Sequence, residues 1–462
     1  MEFVSSRLCC SNDIPCLVIS SREKTPEYFN LCDTMRLFAG HGCFTVDSDR
    51  SKVAGVLEKM IEAKAVSEYD KGNIGMFRAY LTLSGTFLMG LPKTMEMPEG
   101  VSETEAIKQL MKWRDDETEA TWMKKTGCSP LHIACGLGRT EAVREMVKDP
   151  AMKPFFNRKM ADINKFDADA KNKAATQSMG VQTIVGTCKD LTPLGCAMLC
   201  GDPEMVKLLI NSGATPVSAD FGIGCMMGPA ANLEAFLDAT PDFDINQSKK
   251  FAMMGNTPLH NVCMFGDSTH QLEKMKLLLD RGAKPSVHKR NFFGWTPLSG
   301  LAANEDSNIA CVKLLTDAGA NVDAQDTPGA IMRTMRGMMA MMSKLKSYSN
   351  MNMMVDMIGY GRSPIHHAGH LANVPMIREL HKYGAKTAKL DKRANSAHDL
   401  LLKNIPDSHA PEVLSDIIPP LNKIKAAANA QMFANKLRMG AKNAQVLPNQ
   451  SETPTRALPT MA

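Results

Sequence analysis

Five short clusters of one type recur along this chain, and their recurrence limits its fold more than any other feature. They are Ser129-Pro130-Leu131-His132, Thr192-Pro193-Leu194, Thr257-Pro258-Leu259-His260, Thr296-Pro297-Leu298 and Ser363-Pro364-Ile365-His366. Each reads as a helix start. A Ser or Thr hydroxyl caps the first turn, and proline suits the first helical position, where its missing N–H would have had no partner. The clusters lie 63, 65, 39 and 67 residues apart. A chain that restarts the same short helical unit cannot bury each unit's apolar face alone, so the units must stack.

The most complete unit runs from Gly255 to Gly294. After Thr257-Pro258-Leu259-His260 come Asn261 to Phe265, a Gly266 turn, a second helix through Lys276 to Asp280, and a Gly282-Ala283 exit. This resembles one ankyrin repeat. The resemblance implies an all-α repeat fold, a helix-turn-helix solenoid with β-hairpin or loop fingers. Repeats of that family are about 33 residues long, so three of the four separations approach two units. Between Thr192 and Thr257, the run Ala230 to Leu237 is expected to be a degenerate helix pair, with Phe243-Asp244-Ile245-Asn246 as its hairpin exit. Residues 150–188 and 327–359 are expected to be insertions, and Asn395 to Leu401 a terminal cap. The array then covers about 126–420. Gly266 and Gly282 are 16 apart, whereas Gly201 and Gly213 are 12 apart, so the Thr257 unit carries four extra residues between its helices.

Residues 1–125 lack the motif. Cys16 to Ile19 and Cys43 to Val46 suit short strands, and Thr25-Pro26-Glu27 suits a helix start. Helical spacing over 51–64, 74–90 and 102–114 predicts a mostly helical or mixed α/β region. The apolar run Ala79 to Leu91 falls short of the roughly 20 residues that span a bilayer and is expected to be a buried helix. Thirteen cysteines without Cys-x-x-Cys spacing predict free thiols in a reducing compartment, the cytoplasm or the nucleus.

Charge is unevenly placed. Of the 54 Lys and Arg and 49 Asp and Glu, residues 421–462 hold six bases and only Glu452, leaving 48 of each sign in the body. A neutral body argues against nucleic acid as a partner. The tail predicts a basic amphipathic helix over 421–439 followed by a disordered segment, and a weak association with membrane or calmodulin. Residues 327–359 contain ten methionines, four bases and one acid, Asp356. That composition suits a helical hairpin packed on the array, an adaptable docking surface, or soft-metal ligation.

His132, His260 and His366 occupy the family's structural histidine position, so the resemblance implies hydrogen bonding and neither catalysis nor metal. His366, His367 and His370 share a helix face but lack a thiol pair or Glu to complete a zinc site. Gly222, Gly224 and Gly228 do not match a phosphate-binding fingerprint. Asp242, Asp244 and Asn246 lack the Gly and Glu of a calcium loop. No catalytic residue, metal or cofactor is expected.

The family's register maps the partner surface onto the residue before each Ser or Thr and the two before each turn. Those positions are Leu191, Asn256, Trp295 and Arg362, then Leu199, Cys200, Met264, Phe265, Ala303, Asn304, His370 and Leu371. Met264, Phe265 and Trp295, with Phe292 and Phe293 in the finger, form the most apolar group. The expected protein-binding set is Met264, Phe265, Phe292, Phe293, Trp295, Leu199, Arg362 and His370. Ser129, His132, Thr192, Thr257, His260, Thr296, Ser363 and His366 form the structural motif. The resulting expectation is a monomeric, non-enzymatic interaction scaffold for one or more proteins. The alternatives are a targeting subunit that docks through the Met-rich insertion and tail, and an enzyme within 1–125.

Overall fold

The computed structural model describes residues 17–18, 27–28, 48–92, 100–114, 116–161, 190–248, 255–266, 268–345 and 361–404. Two compact units divide the chain at Pro364 and Ile365.

In the first unit a two-residue antiparallel pair, β1 (Leu17–Val18) and β2 (Glu27–Tyr28), precedes the helices. The strand expected at Cys16 to Ile19 is present at its centre. The helix expected to start at Thr25 is not, because Glu27 pairs with Val18. The long helix α1 (Asp49–Asp70) lies against α2 (Ile74–Thr82), followed by the single turn α3 (Ser84–Phe87), α4 (Glu103–Leu110) and α5 (Glu119–Thr126). The run expected as one buried helix over Ala79 to Leu91 is buried through Ser84 only, breaks at Leu83 and is half-buried or exposed beyond Thr86. Arg78 beside it donates to the carbonyls of Thr126 (3.3 Å) and Ala161 (2.9 Å). A buried guanidinium is tolerated only with such partners.

Five helix pairs follow. The inner helices are α6 (Pro130–Gly136), α8 (Pro193–Cys200), α10 (Ser218–Met227), α12 (Pro258–Phe265) and α14 (Pro297–Ala302). Their outer partners are α7 (Thr140–Met146), α9 (Pro203–Asn211), α11 (Ala230–Ala239), α13 (Gln271–Asp280) and α15 (Ala310–Asp317). Inner helices stack in chain order, and so do the outer ones. Leu131, Leu194, Leu233, Leu259, Leu278, Leu298 and Leu315 are almost wholly buried between them. Each such side chain contributes roughly 1.5–3 kcal/mol.

Two expectations change here. Helix α6 packs directly on α8, so the 63-residue separation is a single step of the stack, of which residues 162–189 lie outside the described residues. The degenerate unit is a pair, but Ala230 to Leu237 is only its outer helix. Its inner helix is α10, which starts at Val217 with no side-chain cap and so carries no Thr-Pro signature. Of the four extra residues of the Thr257 unit, three lie in the loop before Gln271 and one lengthens the outer helix, so no turn is added. Ser268 of that loop donates to Asp306, and Asn308 donates back to Ser268, so the loops of adjacent units hold each other.

Among the described residues the fingers are loops joined by isolated backbone bonds rather than regular strands. Asn291 donates to the Trp295 carbonyl, and Asp326 donates to that of Arg362. Of residues 327–359, 327–345 are described and hold α16 (Ala330–Leu345); the rest of the expected hairpin lies outside the described residues.

The second unit holds α17 (Pro364–His370), α18 (Val374–Lys382) and α19 (Ala397–Asn404). Its fold is one repeat and the start of the expected cap. The carbonyl of Ala397 stands only 2.4 Å from where a Cβ on Gly369 would lie, so α19 sits directly on α17. The remaining N-terminal cysteines, the Cys43 strand and the basic tail lie outside the described residues.

Candidate interaction surface

The motif residues fasten one repeat to the next. The backbone N–H of Thr257 donates to Nδ1 of His260 at 3.3 Å, while the Thr257 hydroxyl lies 2.8 Å from the same nitrogen and caps the helix. With Nδ1 an acceptor, the ring proton is on Nε2, which donates to the Trp295 carbonyl at 3.0 Å in the next unit's finger. Ser129 and His132 repeat the arrangement, His132 reaching the Leu191 carbonyl at 3.2 Å. In the second unit His366 reaches that of Lys389 at 3.0 Å. Burial holds His132 at a pKa of about 3 and His260 and His366 at about 4, so all three are neutral. His367 is buried and His370 half-buried. Among the described residues, no three His, Cys, Asp or Glu side chains come together as metal ligands.

The Thr296 unit has Ser299, and the Thr192 unit glycine, where the Ser129, Thr257 and Ser363 units have histidine. In the Thr192 unit the fastening comes from the following helix instead: the Thr192 hydroxyl donates to buried Asp220 at 2.8 Å. A Cβ on Gly195 would stand 2.7 Å from the other Asp220 oxygen, which explains the glycine. The glycines of α10 have an equally structural role. A Cβ on Gly228 would lie 2.2 Å from the Met198 carbonyl, so these residues permit close helix approach. Buried Asn232, Gln271 and Asn304 each donate to two or three carbonyls at the ends of inner helices α8 and α12.

The expected binding residues divide sharply. Trp295 is 2 % exposed, Phe293 6 %, Met264 8 %, Leu199 1 % and Arg362 4 %. These five are therefore packed rather than solvent-facing, and the chain itself covers them. Over Met264, Phe293 and Trp295 lies Met332 from α16, with Phe265 and Ala303 at the margin. The rings of Phe293 and Trp295 are 5.5 Å apart. At Leu199 and Cys200 the cover is the N-terminal segment. Thr86 Oγ1 lies 3.2 Å from Cys200 Sγ, and a Cβ on Gly85 would meet the Cys200 side chain at 2.6 Å. The same segment closes on α6, where a Cβ on Gly136 would stand 2.3 Å from Thr82 Cα. Phe265, Phe292 and His370 remain half-buried.

A family described as ankyrin repeats (3 copies) matches residues 99–220 and 225–326. These residues are ankyrin repeats. A curated relative, the B-cell lymphoma 3 protein homolog of Mus musculus, is 32% identical over 146 residues, covering 30% of this chain and 31% of the relative. This chain thus matches about a third of that relative's length. Among solved structures, the ankyrin repeat domain of Bcl-3, titled a unique member of the IkappaB protein family, is 22% identical. That match covers 62% of this chain and 98% of the other at a TM-score of 0.37. The family match begins at residue 99, so it takes in α4, which packs on α6 and α7 although its sequence lacks the Thr-Pro start. No described helix is long and apolar enough to cross a membrane.

Proposed function

We propose that this ankyrin stack is a non-enzymatic protein-interaction module, and that its partner surface lies along the fingers and inner-helix ends of the Thr257 and Thr296 units. The observation that carries this reading is half-exposed Phe265 and Ala303 at the margin of the buried Trp295 cluster, with half-exposed Phe292 in the same finger against Gly255. Aromatic side chains at the edge of a rigid, well-packed centre are the kind of anchor that interfaces use. The stack supplies the rigidity, since each unit's polar groups are fastened to its neighbour. Leu199, Trp295 and Arg362 act in this reading as supports for the surface, not as contacts. The cytoplasm or nucleus is the compartment consistent with the free buried thiols.

A double variant, Phe265→Glu with Phe292→Glu, tests the assignment. Pull-down of the principal cellular partner should fall at least several-fold while the melting temperature stays within a few degrees. Undiminished capture by a folded variant would move the surface elsewhere. A targeting role is favoured as a second reading by α16 alone, which has bases and no acid and leaves Ile331, Met335, Met338 and Met341 exposed.

A further inference from the structure

We propose that the fingertip from Arg290 to Gly294 takes an acidic peptide segment of a partner protein, with an Asp or Glu carboxylate on Arg290 and an apolar neighbour on Phe292. The inference rests on this finger being part of the partner surface, and it names the chemistry that the surface accepts. Residues 291–294 form a tight turn. The Gly294 N–H donates to the Asn291 carbonyl at 2.9 Å, and the Asn291 N–H to the Trp295 carbonyl at 3.0 Å. Gly294 holds a φ of 78°, which lets the chain double back. Phe293 turns into the Trp295 core, and Phe292 stays half-exposed.

Arg290 is anchored to that same turn. It is exposed, yet its Nη1 donates to the carbonyls of Gly294 at 2.6 Å and Gln325 at 2.8 Å. Those two bonds occupy both N–H groups of Nη1. Among the described residues no carboxylate pairs with this guanidinium, and Nε and Nη2 donate to nothing. Nε and Nη2 form the edge with which an arginine grips a carboxylate through two parallel bonds. Because the side chain is already held, binding orders little that is not ordered beforehand.

The surrounding charge agrees with an acidic occupant at this end. From Arg281 to Asn304 the chain carries no Asp or Glu. Lys289 turns to the preceding finger and the Asn246 carbonyl, two residues from Asp244, so Arg290 is the base left at the tip. Helix α16 has bases and no acid, and its Met332 packs on the Met264, Phe293 and Trp295 cluster. Arg336, one turn beyond Met332, stands about 40° from it around the helix, on the side turned to that cluster. Acid returns only at the far margin, where exposed Glu305 follows Ala303 by two residues. The partner's carboxylate therefore belongs at the fingertip, where a basic side chain would be repelled.

The test pans a phage-displayed library of random peptides against immobilised full-length protein, then measures the selected peptides by fluorescence anisotropy. Wild type should enrich peptides with Asp or Glu next to an apolar residue, and their binding should weaken as salt rises. Arg290→Gln should lose roughly tenfold or more in affinity, about 1.4 kcal/mol. Arg290→Lys keeps the charge without the two-bonded edge and should bind between the two. Arg290→Glu should shift selection to basic peptides, and melting temperatures check that each variant is folded. Peptides lost in Phe265→Glu/Phe292→Glu but without acidic preference and indifferent to Arg290 would overturn this proposal and leave the surface standing. Peptides indifferent to all these variants would overturn the surface as well. Enrichment no better than on bare support would also overturn the proposal.

Discussion

The Nε2–H of His260 donates to the main-chain carbonyl of Trp295 across 3.0 Å, joining residues 35 positions apart in adjacent repeats. The contact joins the most conspicuous histidine of the sequence to its most conspicuous tryptophan, and neither side chain is free to do chemistry. Replacing His260 by alanine removes the bridge and leaves a buried carbonyl and cap without their partner. The expected loss is about 1–3 kcal/mol in urea unfolding. Because repeats stabilise one another, the loss should also appear as faster amide exchange in α14.

Stability should fall on mild acidification. His132, His260 and His366 have folded pKa values of about 3, 4 and 4 against an ordinary value of 6.5, so the unfolded chain binds protons that the folded chain refuses. Folding is therefore favoured above pH 6.5 and loses this contribution progressively as pH falls toward 4. Each histidine adds a slope of up to about 1.4 kcal/mol per pH unit in that window. Urea midpoints measured at pH 7.5, 6 and 5 should decrease in that order. His132→Asn with His260→Asn should flatten the dependence.

Trp295→Ala separates core from contact. The ring is 2 % exposed against Phe293 and Met332, so its removal should cost about 3–5 kcal/mol. A variant with wild-type stability and weakened binding would instead make Trp295 a contact residue. Sequence register alone suggested that outcome.

The N-terminal segment should depend on Gly136. Any Cβ there meets Thr82 backbone at 2.3 Å, and backbone cannot swing aside as a side chain can. Gly136→Ala should loosen α2 and α3 from the inner helices, read as raised hydrogen exchange across 74–87. It should also make Cys200 reactive, since Thr86 and Gly85 no longer cover it. In the wild type, burial raises the thiols of Cys135 and Cys263 and holds those of Cys225 and Cys311 at about 12, so all should resist alkylation until unfolding.

The repeat architecture was legible because its signal is local. Proline, a hydroxyl and a histidine within four residues specify a capped helix start wherever they occur. What lay hidden depends on distant partners. Val217 starts α10 with no cap, so nothing in its own sequence marks a repeat, and the glycines that follow are explained only by the approach of Met198. The Thr192 unit's missing histidine is replaced by Asp220, 28 residues on. Leu199 and Met264 were mapped correctly to the inner-helix ends. Thr86, which lies on neighbouring Cys200, and Met332, which lies on Met264, come from segments with no repeat signature, and periodicity carries no information about such docking.

Cross-linking mass spectrometry on the full-length protein, captured with its cellular partners under native conditions, tests the central claim most directly. The account predicts inter-protein cross-links concentrated on exposed finger lysines such as Lys284 and Lys289, which precede Phe292 in the chain. It also predicts that these links disappear in the Phe265→Glu/Phe292→Glu variant. Partner cross-links confined to residues 1–92, with none on the repeats and none lost in that variant, would contradict it.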